Sequence, residues 1–108
     1  MKDIVIASAA RTAVGDFGGS LAGLTPTEMG VIAAKEACAR AGVSPEDVQQ
    51  SFFGNVIHTE PRDMYMSRTI AIEAGVPETS PALTVYRLCG SGLQAIVSGI
   101  QAIGMGDA

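Results

Sequence analysis

The chain has 108 residues, of which 47% are hydrophobic and 17% charged. It contains seven Lys and Arg and 11 Asp and Glu, which gives a net charge of −4. This length suits one domain, and the charged share is too low for an intrinsically disordered chain, which has the opposite balance. The acidic net charge and the lack of a basic patch exclude a typical nucleic-acid binder.

Two cysteines, Cys38 and Cys89, are too few for a disulfide framework. They indicate free thiols in a reducing compartment, so we expect a cytoplasmic protein. The apolar run near the N-terminus is too short for a signal peptide. No run reaches the roughly 18 consecutive apolar residues that a membrane span requires, so we expect no membrane partner.

The first third of the chain predicts a strand, a loop and a helix. Residues 4–7 form an apolar, β-branched run that is typical of a strand buried on both faces of a parallel sheet. A glycine-rich loop follows over residues 11–23. Thr25 then has the position of a helix N-cap, Glu28 completes a capping box, and Gly42 is a natural helix end.

The rest of the chain predicts two more strands and two more helices. Residues 52–57 mark a second strand, in which Gly54 and Asn55 indicate a bulge or a close approach. We expect a helix over about 62–74, a third strand over 82–86 and a last helix over 90–104. The order β-α-β-α-β-α favours an α/β fold with right-handed crossovers and a parallel sheet.

The last predicted helix is unusual because residues 89–106 include no charged side chain. A surface helix carries charges on its outer face, so we expect this helix to be buried on more than one side. Three strands and the other helices cannot readily supply both covering layers. We therefore expect the 108 residues to be part of something larger or to bind a partner, the alternative being a small three-layer domain with an apolar surface. The main apolar stripe consists of Leu93, Ile96, Val97, Ile100 and Ile103.

Cys89 stands at the junction between the third predicted strand and this helix. The positive end of a helix dipole favours a thiolate, and the glycines at 90 and 92 leave room for a substrate carbonyl. Nearby backbone N–H groups are candidate oxyanion donors. The arrangement predicts a nucleophilic cysteine that forms a thioester. The alternative is that Cys89 is a small buried apolar side chain.

Dinucleotide binding is a second hypothesis for the same segment. Gly90, Gly92 and Ala95 match a loose form of the glycine fingerprint that opens a helix after a strand. Asp107 lies near the place of a ribose-binding acid, although no apolar strand precedes it.

The remaining candidates favour structural roles. Cys38 lies on the apolar stripe of the first helix, which predicts packing in the core. His58, the only histidine, has no neighbouring ligand in sequence, so we expect no metal site and a contact with solvent or an interface. We expect Arg62, Asp63 and Arg68 to form a solvated or interface face.

Three segments carry the pattern of a known family. Residues 11–21 read RTAVGDFGGSL, residues 53–56 read FGNV, and residues 87–96 read RLCGSGLQAI. In this order they resemble the N-terminal signature, the second strand and the acyl-accepting cysteine segment of thiolases, the acetyl-CoA acetyltransferases and 3-ketoacyl-CoA thiolases. The resemblance covers essentially the whole chain and identifies residues 1–108 as a partial thiolase N-terminal domain.

The resemblance implies that Cys89 is the nucleophile that carries an acyl group as a thioester between acyl-CoA molecules. The reaction would be acetoacetyl-CoA formation or 3-ketoacyl-CoA thiolysis, as in fatty acid metabolism. The family's fold layers two similar βαβαβ halves around the cysteine helix. The resemblance further implies coenzyme A thioesters as substrates, no covalently bound cofactor, and a homo-oligomer for the intact protein.

Two departures from the family pattern matter. Tyr86 stands where the family usually has Asn, and we expect its bulk to disturb the loop beneath Cys89. The family's activating histidine, its second cysteine and most coenzyme A contacts match nothing in this chain, and His58 fits none of those motifs. We therefore expect the 108 residues alone to be inactive or nearly so, and a non-catalytic truncated module is the alternative function.

Overall fold

The computed structural model describes residues 3–108. Within them, three α-helices and two short 3₁₀ helices accompany two strands. The helices are α1 (Pro26–Ala41), α2 (Met66–Ala74) and α3 (Ser91–Met105), the strands are β1 (Ser51–Gly54) and β2 (Ala82–Val85), and the 3₁₀ helices span Pro45–Asp47 and Pro61–Tyr65.

The two strands pair in parallel, from Ser51 opposite Ala82 to Gly54 opposite Val85. The predicted α/β class with parallel strands is thereby confirmed. Both strands are shorter than predicted. The ladder ends with the hydrogen bond from the Asn55 N–H to the Val85 carbonyl, so the second strand does not continue to residue 57, nor the third to residue 86.

The predicted first strand is wrong for this structure, because residues 4–7 form no strand. A strand needs a neighbour for its backbone N–H and C=O groups, and β1 and β2 pair only with each other among the described residues. Val5 and Ile6 are exposed. The chain just after them lies against α1, where Ser8 Oγ donates to the Ala37 carbonyl at 2.6 Å.

The predicted ends of α1 are confirmed. Thr25 Oγ1 accepts the Glu28 N–H at 3.1 Å and Glu28 Oε2 accepts the Thr25 N–H at 2.7 Å, which closes the capping box. The hydrogen bonds from Thr25 lower the pKa of Glu28. Gly42 ends the helix in the left-handed region at a φ of 68°.

The core lies around α2, which packs on α1 and on one face of the sheet. Ile70 of α2 is buried over Gly30 of α1, where an added Cβ would lie 2.2 Å from Ile70 Cδ1. The buried Ser67 fixes α2 to the strands: its Oγ lies 3.0 Å from Ser51 Oγ, and its N–H donates to Thr84 Oγ1 at 3.0 Å. These bonds satisfy polar groups that are removed from water.

The other face of the sheet carries α3. Side chains alternate along a strand, so Ser51 faces α2 whereas Phe52 and Gly54 face α3. A Cβ added to Gly99 of α3 would lie 3.6 Å from Phe52 Cδ2. The side of α3 that packs on the sheet is therefore its small-residue side.

The larger apolar side chains of α3 remain exposed. Within the described residues, the sheet covers one side of α3 and no layer covers the other. This confirms the prediction that these residues do not supply both of the layers that would bury the helix. The 18 residues Leu88–Met105, which include α3, are long and apolar enough to cross a membrane by length and composition. The core helices of soluble proteins can have the same length and composition. Fractional exposure ranges from 37% to 79% over Leu93, Ile96, Val97, Ile100, Ile103 and Met105.

Candidate functional site

Cys89 lies in the turn between β2 and α3, two residues before the helix begins and one before its N-cap, Gly90. The thiol is free and the residue is exposed, so the alternative of a buried apolar side chain is wrong. Cys89 lines an open cavity of about 470 Å³ at the head of α3. The other lining residues are Arg87, Leu88, Gly90, Leu93, Gln94 and Val97.

The backbone of this turn is strained at Leu88, whose φ is 45°. No other residue except glycine has a positive φ among the described residues. For an L-residue this conformation costs roughly 1–2 kcal/mol. Leu88 is 60% exposed, so burial of its side chain does not explain the conformation. The surrounding hydrogen bonds must hold it.

Those hydrogen bonds converge on Ser91, the first residue of α3. Its Oγ donates to the Leu88 carbonyl at 2.7 Å and accepts the Arg87 N–H at 2.8 Å. The Ser91 N–H donates to the same Leu88 carbonyl at 3.1 Å, and the Gly90 N–H donates to the Arg87 carbonyl at 3.0 Å. The turn on both sides of Cys89 is thus tied to the start of α3.

The same bonds change the expected set of oxyanion donors. The N–H groups of Gly90 and Ser91 are engaged inside the turn, so these two are not free to bind an oxyanion. The N–H groups of Cys89, Gly92 and Leu93 have no acceptor within residues 3–108, as is usual for the first turn of a helix. Those of Cys89 and Leu93, which line the cavity, are the candidate donors for an oxyanion there.

Gly54 of β1 lies directly against the start of α3. A Cβ at this position would lie 2.6 Å from the Ser91 carbonyl carbon and 2.7 Å from its oxygen. The obstructing atoms are backbone, which cannot rotate away as a side chain would. The predicted close approach at Gly54 is confirmed, and it is the start of α3 that approaches.

The rim of the cavity carries a polar pair, in which Arg87 Nη1 donates to Gln94 Oε1 at 2.7 Å. A cationic side chain therefore stands beside Cys89. Tyr86 is exposed, and the hydrogen bonds of the turn form with the phenol in place. The effect of Tyr86 on the loop stays a prediction.

The other predicted candidates take no part in this cavity. Cys38 is half-buried in α1, and His58 is exposed in the loop after β1. In the part of the chain that the structure describes, no three His, Cys, Asp or Glu side chains are grouped to hold a metal ion. Asp107 follows Gly106, the C-cap of α3, and not a strand, which removes the support for a dinucleotide site.

The predicted exposure of Asp63 is wrong. We expected it on a solvated face, but its exposure is 0%. Asp63 Oδ2 accepts the Thr59 N–H at 2.6 Å, the Thr59 hydroxyl at 2.8 Å and the Glu60 N–H at 3.2 Å. Burial acts to raise the pKa of Asp63, but these hydrogen bonds outweigh it and the pKa is lowered. Asp63 is the third residue of the 3₁₀ helix Pro61–Tyr65 and accepts the N–H of its N-cap, Glu60, as in a capping box. An acidic residue two positions after a proline at a helix start is the signal that indicates such a box.

The two arginines near Asp63 have other partners. Arg62 pairs with Glu73, and Arg68 donates to the carbonyls of Ser80 and Glu78 at 2.9 and 2.7 Å. This segment is therefore a structural brace between the loop after β1, α2 and the approach to β2.

Comparison with known proteins adds the family. Residues 4–108 match the family described as thiolase, N-terminal domain. The chain is 57% identical over 106 residues to the beta-ketothiolase BktB of Cupriavidus necator, which spans 98% of this chain and 27% of that protein. It is 46% identical to an acetyl-CoA acetyltransferase of Clostridioides difficile, with 88% of each chain covered.

A solved structure gives the same result for the fold. Human mitochondrial 3-ketoacyl-CoA thiolase in complex with CoA superposes with a TM-score of 0.92 at 41% identity, over 94% of this chain and 26% of that one. The chain thus spans about a quarter of the length of most of these relatives.

Proposed function

This chain belongs to the thiolase family, and from that premise we propose that Cys89 is the nucleophile of a thiolase-type acyl transfer. The thiolate attacks the carbonyl carbon of an acyl-CoA thioester, a bond forms between the cysteine sulfur and the acyl carbon, the bond from that carbon to the coenzyme A sulfur breaks, and coenzyme A leaves as its thiolate. The acyl group then passes from Cys89 to a second acceptor.

The placement of Cys89 is the observation that carries this proposal. The residue is exposed at the N-terminus of an uncharged helix and opens onto a cavity. Helix N-termini stabilise negative charge, which develops on the substrate oxygen during the attack. The unengaged N–H groups of Cys89 and Leu93, which both line the cavity, support the same chemistry.

The substrates in this proposal are coenzyme A thioesters. Relatives named acetyl-CoA acetyltransferase and 3-ketoacyl-CoA thiolase support this class, and condensation and thiolysis are the two directions of the same acyl transfer. Cytoplasmic fatty acid metabolism and a homo-oligomeric intact protein complete the proposal, without a covalently bound cofactor.

One observation favours the non-catalytic alternative for the 108 residues taken alone. The lining of the Cys89 cavity includes no His, Asp or Glu side chain, so no group there accepts the thiol proton or returns one to a leaving group. We therefore expect the chain to accept an acyl group without turning over.

Acetylation by acetyl-CoA tests both statements. The chain is incubated with acetyl-CoA and acetyl groups are mapped by mass spectrometry, with Cys38 as the internal reference and Cys89→Ser as the control variant. We expect one acetyl group on Cys89, removable by added thiol, and none on Cys38. Equal acetylation of the two cysteines would contradict the role of Cys89 as the nucleophile. Sustained thiolysis of acetoacetyl-CoA that depends on Cys89 would reject the non-catalytic alternative.

A further inference from the structure

We propose that Ser91 is a positioning residue for Cys89: its hydroxyl holds the strained backbone at Leu88 in the conformation that presents the thiol to the cavity. The inference rests on the proposed role of Cys89 as a nucleophile. Its test, however, measures the reactivity of the thiol itself and needs no coenzyme A substrate.

The strain at Leu88 lies at the position that places Cys89. Leu88 directly precedes Cys89, so its backbone torsions set the direction in which the chain carries the thiol. A leucine in the left-handed region is unfavourable, and its exposed side chain gains little from burial. Left alone, the peptide would relax and take Cys89 with it.

The Ser91 hydroxyl bridges the two peptide groups that flank this strain. It accepts the Arg87 N–H at 2.8 Å on one side and donates to the Leu88 carbonyl at 2.7 Å on the other. The torsions of Arg87 and Leu88 lie between those two groups, and one atom therefore restrains both. Ser91 is 4% exposed, so water cannot readily replace either bond.

These contacts differ from those of an ordinary helix cap. An N-cap serine accepts an N–H from within its own helix, whereas Ser91 is the first helical residue and its Oγ contacts residues that precede the helix. The N-cap is Gly90, which has no side chain to offer. The hydroxyl thus serves the turn, and the support of the Ser91 carbonyl by Gly54 fixes the anchor from which it acts.

The test is the rate at which iodoacetamide alkylates Cys89, followed by mass spectrometry with Cys38 as the internal reference. Ser91→Ala removes both hydrogen bonds of the hydroxyl, and we expect it to slow the alkylation of Cys89 relative to Cys38 by about five- to tenfold. The reason is that a relaxed turn no longer presents the thiol to the open cavity at the head of α3.

Ser80→Ala is the matched control. Ser80 is also a buried serine, and its Oγ donates to the Val48 carbonyl at 2.9 Å. It lies before β2, whereas Cys89 lies after it. It should lower the melting temperature about as much as Ser91→Ala and leave the alkylation rate unchanged. A parallel slowing of Cys89 in both variants would show general destabilisation and overturn the proposal.

Leu88→Gly distinguishes a positioning role of Ser91 from a merely structural role. Glycine adopts a positive φ without strain, so the hydroxyl is no longer needed to hold the turn. In the double variant Leu88→Gly, Ser91→Ala we expect Cys89 to react within about twofold of its wild-type rate. The double variant also decides the case if Ser91→Ala does not fold.

The outcomes separate this proposal from the proposed function. A wild-type alkylation rate in Ser91→Ala, or a slow double variant, overturns the positioning role. If the alkylation results are as expected but acetyl-CoA does not acetylate Cys89, the positioning role stands and the acyl-transfer proposal fails.

Discussion

Helices α2 and α3 pack on opposite faces of the same two strands, yet their environments differ. α2 has nine residues, and five of them are buried. α3 has 15 residues and no charged side chain, but within the described residues it buries only Ser91 and Ala95. The layers packed around a helix therefore decide how much of it is buried, since the more apolar of these two helices is the less buried one.

The two helices also differ in what holds them. α1 covers α2 on its outer side, and the contacts of Ser67 fix α2 to the strands. α3 rests on the sheet through small residues, and its larger stripe faces outward. Cys89 belongs to this second region. Its turn is therefore held locally, by Gly54 and Ser91, more than by a surrounding core.

The largest expected effect comes from truncating one isoleucine on each helix. Ile70→Ala leaves a cavity between α1 and α2 and should lower the free energy of unfolding by about 2–5 kcal/mol. Ile100→Ala removes a partly exposed side chain and should cost less than about 1 kcal/mol. Urea unfolding followed by circular dichroism measures both. Equal losses in the free energy of unfolding would show that α2 and α3 are equally well packed.

The next effect concerns the support beneath the Cys89 turn. Gly54→Ala forces a methyl group against the Ser91 carbonyl, and we expect it to lower the free energy of unfolding by about 1–3 kcal/mol. Gly92→Ala is the control, because a Cβ there meets no atom within 4 Å. It should be neutral or stabilising by up to about 1 kcal/mol. A harmless Gly54→Ala would show that the start of α3 moves freely.

Asp63 should make the α2 region sensitive to acid. Its pKa is lowered, so its ionised form stabilises the fold at neutral pH. This contribution is lost as the pH falls below the ordinary value of 3.8 and through the lowered value in the folded chain. We expect Asp63→Asn to lower the melting temperature at pH 7 and to flatten its fall in acid. The exposed Asp47→Asn is the control, and an identical pH dependence in both variants would contradict the role of Asp63.

The smallest effect on stability is expected on the exposed stripe of α3. Ile96→Gln should leave the free energy of unfolding within about 0.5 kcal/mol of the wild type. It should nevertheless reduce the fluorescence of an apolar dye bound to the chain, because exposed apolar side chains bind such dyes. Unchanged dye binding together with a large loss of stability would indicate that this side of α3 is packed in solution.

The features that the sequence predicted well depend on near neighbours. The capping box of Thr25 and Glu28 and the helix end at Gly42 need only a few consecutive residues, and both are confirmed. The close approach at Gly54 was predicted as a type of contact, although its partner, Ser91, could not be read from the sequence. The position of Cys89 before a helix followed from the strand and glycine pattern around it.

The features that it missed depend on distant or conformational information. A strand over residues 4–7 needs a paired neighbour, which hydrophobicity alone does not supply. The burial of Asp63 comes from a loop that folds back over its carboxylate. The positive φ of Leu88 is the hardest to foresee, because leucine does not favour it and the hydroxyl that holds it lies three residues further along.

The alkylation rate of Cys89 near neutral pH shows whether the turn at the head of α3 presents a reactive thiol. The rates for Cys89, Cys38 and a short unstructured cysteine peptide are compared under the same conditions. We expect Cys89 to react faster than both. If Cys89 reacts no faster than the peptide, the turn does not make this thiol reactive.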